Sequence, residues 1–140
     1  MAPPSTSSPS RPRSSAPEVA RSLVLDGAEV LCVLANWEEP HIEEWRSYVL
    51  ARAYENAVFV AAAAFFGGSM IVGPRGTLHA AVDEGNEGYG IARINLEEVR
   101  KVREEFQFLR CRQPSTYRAV VRKSDPGTVI YAVPRLNAHN

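Results

Sequence analysis

The stretch that decides the fold is AEVLCVLANWEEPHIEEWRSYVLARAYENAVFVAAAA, residues 28–64. Its first eight residues, 28–35, are apolar almost throughout and rich in Val and Leu. A run that short, closed by Asn36, predicts a strand buried on both faces. Residues 40–56 follow with a different period: Ile42, Trp45, Val49 and Ala53 share one stripe, while Glu43, Arg46 and Glu55 lie off it, which predicts an amphipathic helix. AVFVAAAA, residues 57–64, predicts a second buried strand. Strand, helix and strand in that order make a βαβ unit with parallel strands and a right-handed crossover.

Upstream, PEVARSLVLDG reads as a helix. Pro17 suits a first turn, where its missing N–H is not needed, and Glu18 complements the positive helix end. Val19, Ala20, Leu23 and Val24 form its apolar face, and Gly27 stops it. Residues 1–16 are rich in Ser, Pro and Arg and predict a disordered tail. Downstream the period changes again. SMIV, a GPRG turn and TLHAAV predict an antiparallel hairpin, with Gly73 and Gly76 as turn residues. EGNEG predicts a second turn and YGIARIN a further strand. Asn95 can cap a helix LEEVRKVREEF, with Glu98 placed for a capping box and Leu96, Val99, Val102 and Phe106 turned inward. From residue 107 the chain reads as irregular, with residues 124–140 a loose tail. The expected fold class is α/β.

Composition bounds the function. The 140 residues suffice for one domain with a core, and 45% hydrophobic with 23% charged residues is the mixture of a globular protein. Sixteen basic and sixteen acidic side chains leave a formal net charge of zero, so no bulk field favours nucleic acid or an anionic membrane. Only Lys101 and Lys123 are lysines, an arginine bias that suits fixed ion pairs or reflects a GC-rich genome. Two cysteines without CxxC or Cys/His spacing exclude a zinc framework and point to a reducing cytoplasm. No apolar run approaches the roughly 20 residues that span a bilayer. Neither a cofactor nor a metal site is expected.

Each chemical candidate has a plain alternative. Cys32, mid-strand, reads first as a small hydrophobe. Cys111, between Arg110 and Arg112, could be a reactive thiol but has no base near it in sequence. HIEE, residues 41–44, resembles metal ligands, yet its carboxylates diverge on a helix whose start it more simply forms. His79 reads as an exposed strand position. FFGGSMIVGPRG lacks the spacing of a phosphate loop. NWEEP follows the carboxyl end of a buried strand, where open α/β sheets collect ligands. There Asn36 offers hydrogen bonds and Trp37 either a flat pocket wall or a lid on the core edge.

Taken together, PEVARSLVLDGAEVLCVLANW, ARAYENAVFVAAA, FFGGSMIVGPRGTL and YGIARINLEEVRKVREEF…RQPSTY, in this order and spacing, resemble the carboxyl-terminal half of the nitrilase, or carbon–nitrogen hydrolase, family. The resemblance runs from Pro17 to about Tyr117 and implies a partial domain over residues 17–123. It implies half of an αββα sandwich: one mixed sheet with helices on one face, the partner sheet missing or supplied by another chain. The family hydrolyses non-peptide C–N bonds of small amides, nitriles and N-carbamoyl compounds, using a cysteine nucleophile, a glutamate base and a lysine. The family's Cys-Tyr-Asp-x-x-Phe-Pro-Glu segment aligns with RPRSSAPE, which puts Arg11 where the nucleophile belongs. The glutamate and lysine belong to the half that this chain does not show, and neither Cys32 nor Cys111 takes a matching place. The resemblance therefore implies a truncated hydrolase, incompetent alone.

Two further consequences follow from it. The usual Asn-Arg-x-Gly and loop after the second strand are replaced by Ala64 running straight into Phe65, as if a loop were excised. Asn36 and Trp37 match a pocket-side loop, while Arg52, Glu55 and Asn56 match a helix end that supports the site from outside, and Glu18 holds the start of its own helix. With the partner sheet absent, the inner face of both strands would lie open and drive self-association or docking on a full-length relative. The rival reading is a non-catalytic half-domain that acts as an interaction or oligomerisation module.

Overall fold

A computed structural model describes residues 16–37, 41–82 and 88–122. Arg11, most of the two expected tails and nearly all of the EGNEG turn fall outside the described residues. The chain divides into two compact units, residues 1–110 and 111–140. In the first, the element order is α1 (Pro17–Leu25), β1 (Val30–Ala35), α2 (Ile42–Asn56), β2 (Phe59–Ala64), β3 (Met70–Val72), β4 (Leu78–Ala81) and α3 (Glu97–Glu105).

The strands form one mixed sheet in the order β1-β2-β3-β4. β1 and β2 are parallel, with Cys32 opposite Ala61 and Leu34 opposite Ala63. β2–β3 and β3–β4 are antiparallel, the latter with an irregularity at Ile71–Val72. The α/β class, the βαβ unit and the hairpin are therefore as the sequence predicts. β3 and β4 meet through Gly73–Thr77, closed by the Gly73 N–H donating to the Thr77 carbonyl at 2.8 Å.

The core lies on one side of this sheet. Val24 of α1 and Trp45, Val49 and Ala53 of α2 pack with Leu31, Val60, Ala62, Met70 and Val72 in a single cluster. The α2 stripe thus does what its period requires, each large side chain contributing roughly 1.5–3 kcal/mol by leaving water. α1 contributes less than its pattern suggests. Val24 is buried, but Val19 and Leu23 are about half exposed. Among the described residues the helix packs chiefly on α2, which leaves part of its apolar stripe uncovered. Gly27, at φ +106°, ends α1 as expected, with the Ala28 N–H donating back to the Leu23 carbonyl.

The opposite face of the sheet corrects the reading of β1 as buried on both sides. Leu31 is buried, whereas Cys32 is exposed and Leu34 is 82% exposed. Ala63 on β2 is exposed too. Helices cover one face, and among the described residues no second layer covers the other. Cys32 is consequently not a core hydrophobe. Phe59 is the exception on that side: its ring is fully buried, in edge contact with His79 at 5.5 Å.

YGIARIN is irregular rather than a strand. The sheet ends at β4, and with Tyr89 and Ile91 at least 80% exposed the segment's alternation has no surface to face. α3 then begins where expected. The Asn95 side chain accepts from the Glu97 N–H at 3.0 Å, and Val99 and Val102 are buried, while Leu96 stays exposed and Phe106 is half-buried. Arg103 of α3 donates to the Ala28 carbonyl at 2.8 Å, and Glu105 pairs with Arg75 of the β3–β4 turn. In the second unit, Pro114–Thr116 forms a turn of 3-10 helix and Tyr117–Arg122 the short helix α4. This stretch is therefore not irregular throughout as the sequence predicts, and Pro114 is well placed at a first turn.

Candidate functional site

The short connection from β2 to β3 shapes the carboxyl end of the sheet. Residues 65–69 turn the chain within five positions, with Gly67 and Gly68 both at positive φ. The Ala64 N–H donates to Ser69 Oγ at 3.1 Å, and the Phe65 N–H donates to the Ala35 carbonyl at 3.2 Å, tying the turn to β1. Behind it, Trp45 Nε1 donates to the Gly68 carbonyl at 3.0 Å. A Cβ at Gly68 would stand 3.3 Å from both Ile42 Cγ2 and Trp45 Cδ1, so the turn lies close against α2 and needs glycine there. The absence of slack between Ala64 and Phe65 is thus absorbed by two glycines and one serine hydroxyl.

Asn36 lies exposed at the carboxyl end of β1, in a shallow depression with Leu34, Ala63, Phe65 and Phe66. Trp37 does not face it. Its indole N–H donates to the His41 carbonyl at 2.6 Å, and its ring lies 5.5 Å from Trp45 and 5.4 Å from Tyr48. Trp37 is a lid on α2, and the structure does not bring the two NWEEP candidates together.

Along the open face runs a groove of about 370 Å³, with Cys32, Ala61, Ala63, Ile71, Ala80 and Tyr89 among its walls. Cys32 is the thiol in it, and among the described residues no histidine, carboxylate or lysine lines it. Among the described residues of the groove no carboxylate or imidazole stands ready to accept a proton from sulfur during attack on a carbonyl. Cys111 belongs to the second unit and is exposed.

Arg52, Glu55 and Asn56 meet on the last turn of α2. Arg52 Nη1 pairs with Glu55 Oε1 at 2.5 Å, and the Arg52 guanidinium lies 5.8 Å over the Tyr48 ring. Asn56 is fully buried and its Nδ2 donates to the Arg52 carbonyl at 2.9 Å, within the helix rather than beyond it. Arg21 of α1 adds a bond that sequence reasoning missed: its Nη2 donates to the Glu55 carbonyl at 2.8 Å. A lone arginine off the apolar face of a helix gives no sign of a target 34 residues away. Glu18 lies exposed in the first turn of α1.

The remaining ionisable candidates stand apart. His41 Nδ1 lies 3.3 Å from Glu44 Oε1, and a backbone hydrogen bond, then His41, hold the Glu44 carboxyl below the usual carboxylate range. Among the described residues no three His, Cys, Asp or Glu side chains gather as metal ligands would. No described helix is long and apolar enough to cross a membrane.

A mixed open sheet with helices on one face and an uncovered groove on the other defines a layered α/β fold. The carbon–nitrogen hydrolase family model matches residues 14–104, and the chain belongs to that family. It is 36% identical over 115 residues to a probable nitrilase of Schizosaccharomyces pombe, covering 75% of this chain and 42% of that protein. With the 2-oxoglutaramate amidase of Bacillus subtilis it shares 39% identity over 99 residues, 63% of this chain and 37% of the other. With the N-carbamoylputrescine amidase of Arabidopsis thaliana the figures are 28% over 129 residues, 75% and 43%. The crystal structure of a carbon–nitrogen hydrolase from Helicobacter pylori superposes with a TM-score of 0.71 at 24% identity, over 80% of this chain and 47% of that one. The chain spans about two fifths of the length of the curated relatives it matches.

Proposed function

We propose that this chain is the carboxyl-terminal part of a carbon–nitrogen hydrolase whose substrates are small amides, nitriles or N-carbamoyl compounds, and that alone it does not hydrolyse them. The observation that carries this reading is the groove itself. Thiol acyl transfer needs a thiolate that adds to the carbonyl, a base that takes its proton and passes it to the departing amine, and a cation or N–H donors for the oxyanion. The described groove offers Cys32 among alanines, leucine and isoleucine, with no base beside it. By resemblance the nucleophile position carries Arg11, whose guanidinium cannot attack an acyl carbon.

The relatives' names support the substrate class: one acts on 2-oxoglutaramate and another on N-carbamoylputrescine, an amide and an N-carbamoyl amine. On this reading Asn36 and the Phe65–Phe66 pair border the substrate once the other half is present, while Arg52, Glu55, Asn56 and Glu18 hold the helices behind. The cytoplasm suits two free cysteines. The test is ammonia release from a panel of short amides, nitriles and N-carbamoyl amino acids incubated with the purified chain. The expected result is none above the blank. Release that Cys32→Ala or Cys111→Ala abolishes would overturn the reading.

A further inference from the structure

We propose that the proline- and arginine-rich segment 9–13 of this chain docks on an aromatic platform formed by Tyr54, Phe106 and Phe108, where the end of α2 meets the end of α3. Phe106 and Phe108 lie nearly parallel, their planes 6° apart and their centroids at 5.7 Å. Tyr54 leans on them at 6.4 and 5.5 Å. Tyr54 is 44% and Phe108 40% exposed, so rings that fix one another in place keep much of their surface in water. Such rings are the surface on which proline-rich chains pack. Pyrrolidine rings lie on aromatic faces, and the polyproline conformation loses little entropy on binding.

Residues 1–15 lie outside the described residues, and their sequence supplies the occupant. MAPPSTSSPSRPRSS has prolines at 3, 4, 9 and 12, a PxxP spacing from Pro9 to Pro12, arginines at 11 and 13, and no acidic residue. The platform's edge carries the opposite charge. Arg75 lies 5.5 Å over the Phe106 ring and pairs with Glu105, and Glu98 acts on it as well. Two carboxylates against one guanidinium leave an excess of negative charge beside the rings for Arg11 or Arg13. The chain is long enough to reach. Arg21 of α1 bonds the Glu55 carbonyl, next to Tyr54, and Pro17 stands about 6 Å from Arg21 along the helix. Pro12 and Pro9 precede Pro17 by about 16 and 25 Å of polyproline chain. So short a tether holds the segment near the rings at high effective concentration, and a modest contact suffices. Residues 123–140 fit less well, with Asp125 among their charges and no PxxP spacing.

Trypsin cleaves after Arg13 but not between Arg11 and Pro12, so release of residues 1–13 from the full chain, followed by mass, reports on the segment. The expected result is cleavage about tenfold slower in the wild type than in Phe108→Ala, as for a contact closed roughly nine-tenths of the time. The double change Pro9→Ala, Pro12→Ala should speed cleavage as much. It alters no described element, so its effect cannot come from a failure of the fold. Ile91→Ser, at an exposed position away from the rings, should change nothing. Equal rates in all four proteins would overturn the proposal. So would protection that the proline changes remove and Phe108→Ala does not, since the segment would then dock elsewhere. Protection that fades on dilution would place the segment on another copy of the chain, not on its own rings. Protection at Arg135 in place of Arg13, lost in Phe108→Ala, would give the platform to residues 123–140, and the proposal would fall.

Discussion

Trp45 shows how one side chain can hold two elements together. Its ring is 2% exposed within the α2 stripe, and its indole N–H reaches across 23 positions to the Gly68 carbonyl. Trp45→Phe keeps most of the apolar volume and removes the donor, leaving a buried carbonyl unpaired. That substitution should cost about 1–3 kcal/mol, read as a lower midpoint in guanidinium with an unchanged slope. No loss would mean that water or another donor serves Gly68. The stripe that buries Trp45 is legible in the spacing Ile42, Trp45, Val49, Ala53. The hydrogen bond is not, because its acceptor is a backbone group whose position depends on the tight turn after β2. Asn56 is the last residue of α2, and its Nδ2 donates back to the Arg52 carbonyl, a partner that its polarity alone does not name.

At the scale of elements, the βαβ unit, the hairpin and α3 are written in period and punctuation, since length and breakers alone separate strand from helix there. What an apolar run cannot state is how many of its faces will be covered. β1 reads as doubly buried because Val, Leu and Cys alternate with one another, yet its cover depends on residues distant from it in sequence. YGIARIN fails for the same reason: an alternating pattern becomes a strand only against a neighbour. α3 is also fixed by charge, through Glu105 and Arg75, with Arg75 in turn 5.5 Å over the Phe106 ring. The hydrogen bond from Arg75 holds the Glu105 carboxyl below its ordinary range. Its folded pKa is therefore lower than its unfolded one, so the stabilisation is complete above the ordinary glutamate range and drains away as pH falls through the lowered value. Below about pH 5 the wild-type chain should lose stability faster than Glu105→Gln, compared by thermal midpoints across the acid range. Parallel acid limbs would show that the pair contributes nothing measurable, as many exposed pairs do.

For the whole molecule, one sheet has two unlike faces, and mutation should separate them. Val60 points into the helix layer and is fully buried, whereas Leu34 points into the groove and is 82% exposed. Val60→Ala removes two methyl groups from close packing and should cost roughly 1–3 kcal/mol, transfer and cavity terms together. In dilute solution, where the face is uncovered, Leu34→Thr should change stability by no more than about 0.5 kcal/mol, because the leucine side chain gains little by folding. The same Leu34→Thr change should lower the binding of a hydrophobic dye, since it removes an exposed apolar side chain from the face. The contrast is specific to a sheet covered on one side. Were a second layer of this chain seated on the groove, Leu34 would be a core residue, and its replacement would cost as much as that of Val60. Equal losses at both positions in dilute solution would therefore show a closed sandwich within one chain. A loss confined to Val60 identifies the groove as a face that this chain leaves uncovered in dilute solution.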